Sequence, residues 1–115
     1  MTSACLFCAI AAGDIPADIV HRDEEVVVFR DIDPKAPVHL LVIPTAHHDN
    51  AGDLAAEDPA LAGRLLARAA EAARAAGVSE SGFRIVTNTG ADGGQSVQHV
   101  HFHVLGGRGL TWPPG

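Results

Sequence analysis

Residues alternate between apolar and polar along His99-Val100-His101-Phe102-His103, which is the two-residue period of a β-strand. Val100, Phe102 and Val104 then enter a core while the three imidazoles share the opposite face. Neighbouring rings stand about 6.5 Å apart at their α-carbons, close enough to serve one small ligand or one reacting phosphorus. Phe83 to Asn88 alternates in the same way, with Phe83, Ile85 and Thr87 on one face. Ile19–Arg22 and Val26–Arg30, divided by the acidic run Asp23–Glu25, predict a hairpin. After the loop Asp31–Pro37, Val38–Ile43 predicts a buried strand stopped by Pro44. Helical signals occur twice. Cys5–Ala12 predicts a short helix with Gly13 just past its end. The second helix is long: Asp58 caps it, Pro59 suits its first turn, Leu61, Leu65, Ala69, Ala72 and Ala76 form its apolar stripe, and Gly77 ends it. Its polar face, with Arg64, Arg68, Glu71 and Arg74, is assigned no function. Five strands with the long helix between the third and fourth predict an α+β fold on an antiparallel sheet.

A chain of 115 residues, 47% hydrophobic, is expected to form one domain over residues 1–115 with a packed core. The net charge of −6 leaves no basic stripe to replace phosphate counterions, which argues against broad nucleic-acid binding, and any nucleotide bound is expected to be small. No apolar run approaches the roughly 20 residues of a membrane span, and the N-terminus lacks a charged and hydrophobic leader pattern. A cytoplasmic protein without a membrane partner is expected. One lysine against seven arginines, in an alanine-rich chain, hints at a GC-rich bacterial genome.

Histidine is the side chain best suited to proton transfer and metal ligation near neutral pH, which singles out the three alternating imidazoles. The run Asn88–Ser96, with Gly90, Gly93 and Gly94, ends three residues before His99. Its glycines allow N–H groups to turn toward an anion and Ser96 adds a hydroxyl, although a plain turn between strands has the same composition. Cys5-Leu-Phe-Cys8 supplies half of a tetrahedral zinc site; two buried free thiols are the alternative, and no βαβ pattern surrounds the pair to support a thioredoxin-like role. His39, within an apolar strand, reads on its own as a satisfied core residue.

The stretch Gly93-Gly-Gln-Ser-Val-Gln-His-Val-His-Phe-His-Val104 resembles the His-φ-His-φ-His signature, φ being apolar, of the histidine triad (HIT) family. The segment Gly106-Gly-Arg-Gly-Leu-Thr-Trp-Pro-Pro-Gly115 resembles its Hint, or purine nucleoside phosphoramidase, branch. Ile15-Pro16, Phe29–Pro34, Ala36–Pro44 and His47 match as well. The resemblance implies the HIT fold: a five-stranded antiparallel sheet with one long and one short helix, paired as a two-fold homodimer whose sheets join. It makes His101 the nucleophile, with His99, His103, His39 and Ser96 in supporting catalytic roles. Phe7, Ile10, Phe29, Ile32 and Leu41 would form the slot for the base, with Leu6 beside it. Asp31 would accept the ribose hydroxyls, and Asn88, Gly94, Gln95 and Ser96 would surround the phosphate together with His101 and His103. Trp112 would border the site from the partner subunit. Cys5, Cys8, His47 and His99 would hold a structural zinc, and catalysis would need no cofactor. Gln98, Arg30 and Asp33 depart from the family pattern without removing a reacting group.

The activity so implied is hydrolysis of purine nucleoside 5′-monophosphoramidates through a nucleotidyl-histidine. Hydrolysis of dinucleoside polyphosphates or other adenylylated substrates, and a nucleotide-binding adaptor role, are the alternatives.

Overall fold

The computed structural model describes residues 5–115. Helix α1 (Leu6–Ala12) starts at Cys5, whose sulfur accepts from Cys8 N–H, and stops at Gly13 in the left-handed region. Strands β1 (Ile19–Arg22), β2 (Val26–Arg30) and β3 (Val38–Pro44) follow, then helices α2 (Ala51–Glu57) and α3 (Pro59–Ala75), then β4 (Phe83–Val86) and β5 (Phe102–Gly106). The sheet runs β1-β2-β3-β5-β4 with every pair antiparallel. No described helix is long and apolar enough to cross a membrane.

Strands β2 and β3 are buried on both faces, which is why Val26–Phe29 and Leu40–Ile43 are unbroken apolar runs. Val26, Val28, Leu40 and Val42 pack under Leu61, Leu65, Ala69 and Ala73 of α3. Val27, Phe29, Leu41 and Ile43 pack under Phe7 and Ile10 of α1. The second face carries the chemistry.

Three sequence expectations change. Helix α2 was not foreseen; Asn50 caps it by accepting from Asp53 N–H, a signal hidden by the helix's two-turn length and by the Asp58-Pro59 start behind it. The apolar stripe of α3 closes on Ala73, whereas Ala76 is exposed at the cap where the chain turns off through Gly77. The histidine strand begins only at Phe102. Pro44 opposite has no N–H, its carbonyl accepts from the His99 ring, and Val100 N–H turns to the His48 carbonyl instead, so the β3 ladder ends there. Alternation of faces nevertheless persists: Val100, Phe102 and Val104 are in the α3 core.

The β1–β2 turn is tied to α3 by Asp23. One oxygen accepts from the Glu25 and Val26 amides, the other from His21 Nε2 at 2.8 Å and Arg68 Nε at 3.0 Å. His21 and these other donors hold the carboxyl well below the usual carboxylate range against the opposing effect of burial. A depressed value stabilises the fold above the ordinary 3.8 and is lost as pH falls through the lowered one. Asp23→Asn is therefore expected to cost about 1 kcal/mol, or about 4 °C in Tm, at pH 7, and to flatten the acid limb below pH 4. Thermal melts of both proteins from pH 7 to pH 2 would show this; identical acid limbs would refute it.

Candidate active site and metal centre

His101 is almost fully buried, and its ring stands edge-on to Phe7 with centroids 5.0 Å apart. Its Nδ1 lies 2.8 Å from the carbonyl of His99, an acceptor, so that nitrogen carries the proton and donates. Nε2 is left with its lone pair and has no hydrogen-bond partner among the described residues. Thr87, which lies past the end of β4 and not on its expected apolar face, donates its hydroxyl to the His101 carbonyl at 2.9 Å and fixes the backbone there.

His39 and His103 form a second unit. Lys35 N–H donates to His39 Nδ1 at 3.0 Å, which places the His39 proton on Nε2. That Nε2 donates to His103 Nδ1 at 2.9 Å, so neutral His103 carries its own proton on Nε2. Burial pushes His103 down to about 4, with the nearby His101 and His39 rings acting in the same direction and Asp31 against it. Burial also lowers His39. Both rings are thus neutral near pH 7, and an acceptor nitrogen (His101) adjoins a donor nitrogen (His103), their ring centroids 5.0 Å apart.

These two rings close one end of a cleft of about 400 Å³. Phe7, Ile10, Phe29, Ile32 and Leu41 line it together with Asp31 and Ser96, so four separate stretches of the chain converge on it. Ile32, 99% exposed, stands at its rim. Leu6 lines it too, as do Ile15, Pro16 and Ala17 from the connection after α1. The loop beside it needs its glycines: a Cβ on Gly93 would lie 2.3 Å from the Thr89 carbonyl oxygen, and Gly94 has φ +78°. Gln95 does not face the cleft. Its side chain accepts from Gly90 N–H and donates to the carbonyls of Asp49 and Val97, so it braces the loop from within. Asn88 is half-buried and does not line the cleft, and Trp112 is 83% exposed on the C-terminal tail.

The third imidazole parts from the other two. The His99 ring is fully buried outside the cleft wall; its Nε2–H donates to the Pro44 carbonyl at 2.9 Å, and Nδ1 faces Cys5 Sγ at 3.3 Å and Cys8 Sγ at 3.5 Å. His47 has the same arrangement, with Nε2 on the Asp49 carboxylate at 2.8 Å and Nδ1 3.3 Å from Cys8 Sγ. The expectation that all three rings serve one ligand is therefore corrected: the rings divide between two sites, because the ladder breaks before His99.

The donor set fits a zinc ion. Around tetrahedral zinc with bonds of about 2.0–2.3 Å, donors stand roughly 3.3–3.8 Å apart, and these four lie within 4.8 Å of one another with contacts of 3.3–3.5 Å. Each histidine offers a lone pair inward and has its outer N–H held by an acceptor, as metal-binding imidazoles require. For the thiols, burial and the neighbouring Cys5 push Cys8 up to about 11; on Cys5 burial is outweighed by the Cys8 amide and thiol and by His47, and its thiol is lowered. Asp31, His39 and His103 also cluster within 4.8 Å, but there Lys35 N–H occupies His39 Nδ1 and forces the proton onto the inward nitrogen. That second cluster is built to pass hydrogen bonds, not to ligate.

A family model described as the HIT domain matches residues 12–110. The chain belongs to the HIT family. It is 43% identical to the purine nucleoside phosphoramidase of Escherichia coli strain K12 over 110 residues, which cover 96% of this chain and 92% of that protein. An uncharacterised HIT-like protein of Synechococcus elongatus is 48% identical over the full length of both. Among solved structures, a HIT family hydrolase from Legionella pneumophila Philadelphia 1 superposes with a TM-score of 0.93 at 50% identity, over 96% of this chain and 99% of that one.

Sequence reasoning missed three supports of this HIT site. Asp49 orients His47, and the His-x-Asp spacing was its signal. The Lys35 amide and the Pro44 carbonyl, which set the tautomers of His39 and His99, are backbone groups that no residue type announces.

Proposed function

We propose that this HIT protein hydrolyses purine nucleoside 5′-monophosphoramidates through a nucleotidyl intermediate on His101. The observation that carries this reading is the tautomer of His101: Nδ1–H is tied to a backbone carbonyl and Nε2 is unprotonated beside the cleft. An unprotonated imidazole nitrogen attacks the α-phosphorus, the phosphorus–nitrogen bond breaks, and the leaving amine takes a proton from the exposed Ser96 hydroxyl, which recovers one from solvent water. Water then attacks the phosphorus, releasing the mononucleotide and restoring neutral His101. His103 Nε2–H is placed to donate to a phosphoryl oxygen as negative charge grows there. The base occupies the apolar slot between Phe7, Ile10, Phe29, Ile32 and Leu41, and Asp31, an acceptor-only group, takes the ribose hydroxyls.

Cys5, Cys8, His47 and His99 would hold a zinc ion whose contribution is structural, cross-linking α1 to the segment before β5. The His99 ring serves that site, and its part in catalysis is the carbonyl that holds His101. We further propose a two-fold homodimer in which the exposed Trp112 of one subunit borders the other's cleft. A large aromatic so placed buries about 150–250 Å² that the single chain leaves in water.

Steady-state kinetics on an adenosine phosphoramidate and a dinucleoside polyphosphate, side by side, test the substrate class. A kcat/KM that favours the phosphoramidate supports the proposal; the reverse order overturns it. Deleting Leu110–Gly115 is expected to change selectivity among amine leaving groups more than AMP affinity. An unchanged selectivity profile would remove the tail from the site.

A further inference from the structure

Asp31 stands where the cleft meets the histidine pair. Its amide donates to the His39 carbonyl, continuing the β2–β3 pairing one residue past the end of β2, and its side chain is mostly covered. Oδ1 is already an acceptor, taking Asp33 N–H at 2.8 Å. Oδ2 lies 3.4 Å from His39 Nε2. The single proton of neutral His39, confined to Nε2 by the Lys35 amide, is hydrogen-bonded to His103 Nδ1 at 2.9 Å, and a second acceptor, Asp31 Oδ2, stands 3.4 Å from the same nitrogen without a hydrogen bond to it. The choice has a consequence at the reacting centre. While His39 donates to His103 Nδ1, His103 keeps its proton on Nε2; if His39 turns to Asp31, His103 Nδ1 is released to take a proton itself, and the donor beside His101 is no longer fixed.

We propose that Asp31 is a positioning residue for the His39–His103 pair, so that capture of a ribose diol by this carboxylate is transmitted to the donor nitrogen of His103. The inference rests on the reading that the cleft takes a ribonucleotide. Oδ1 already accepts from the Asp33 amide and Oδ2 has no such partner, so a diol that engages Oδ2 leaves His103 Nδ1 as the acceptor for the His39 proton. Bound ribose then fixes His103 in its Nε2–H form at the moment the phosphorus is in place. The groups facing His39 are Asp31, Asp33 and Lys35 from the β2–β3 loop and His103 from β5; those facing His103 are His101, His39 and Asp31. Among the groups around His103, Asp31 alone is an anion, and it favours a proton on that ring against burial and the two imidazoles.

A substrate-by-variant cycle separates this link from plain ribose binding. Adenosine phosphoramidate and its 2′,3′-dideoxy counterpart are compared on the wild-type protein and on Asp31→Asn. The link predicts that loss of the hydroxyls lowers wild-type kcat at saturation about tenfold or more, beyond any rise in KM, and has little further effect on kcat in the variant. A wild-type loss confined to KM would overturn it. A second measurement needs no substrate. In the nucleotide-free protein, ring-nitrogen NMR should show that Asp31→Asn changes the His103 tautomer signals and moves the His103 titration midpoint down. Unchanged His103 signals in a folded variant would overturn the link. If the wild type turned over neither substrate, the nucleotide reading would fail on its own, and the ring-nitrogen comparison would still decide whether Asp31 controls the pair.

Discussion

His101→Ala is expected to lower turnover of a phosphoramidate by at least about 10⁴-fold while leaving AMP affinity within about tenfold. The ring removed supplies the one unprotonated imidazole nitrogen at the cleft that has no hydrogen-bond partner among the described residues: His103 has Nδ1 occupied by His39 and its proton on Nε2, and His99 faces the cysteines. No neighbour can replace it as nucleophile. Ground-state binding rests on Asp31 and the apolar slot, which the substitution leaves in place, so affinity is retained. Mass spectrometry of a quenched wild-type reaction should show a nucleotidyl adduct on His101. Substantial turnover by the alanine variant, or an adduct elsewhere, would sink the covalent mechanism.

The second large effect is on stability. Protein prepared without chelator is expected to carry about one zinc per chain, and Cys8→Ser is expected to lower Tm by about 10 °C. A ligand at a hundredfold its dissociation constant stabilises a fold by about 3 kcal/mol, and a domain of this size loses roughly 4 °C per kcal/mol. The centre joins α1, the segment after β3 and the segment before β5, and α1 carries the Phe7 and Ile10 that cover the chemical face of the sheet. The chemical rate should fall less than the stability, since the Cys8 side chain touches neither His101 nor His103. Elemental analysis that finds no metal, or a Cys8→Ser protein that melts with the wild type, would count against the centre.

Much of the fold was legible because its signals are local. The bounds of β1 and β2, the Asp58-Pro59 start of α3 and the Gly13 and Gly77 stops follow from side-chain period and cap chemistry within a few residues. The apolar residues and Asp31 expected around the base and ribose all line one cleft. They came from the family motifs, since each read by periodicity is an ordinary core residue. Helix α2 escaped because seven residues carry too little helical period to stand out. Gln95 was misplaced for a related reason: in the motif it adjoins Ser96, but a long amide side chain can turn inward and satisfy the loop's own backbone.

Alternation along Val100-His101-Phe102-His103-Val104 by itself determined which residues enter the core, because burial of apolar groups is a property of residue type and period. The three-residue spacing of Cys5 and Cys8, one helical turn, likewise brings their sulfurs to one side. Only the tertiary structure decided what each imidazole does. A ring nitrogen is donor or acceptor according to what lies opposite it, and here the deciding groups are backbone atoms far off in the chain or set by its turns. The Pro44 carbonyl turns the His99 lone pair toward the thiols, the His99 carbonyl frees His101 Nε2, and the Lys35 amide makes His39 a donor to His103. Backbone N–H and C=O groups are the same at every residue, so their effect on a histidine is set by where folding brings them.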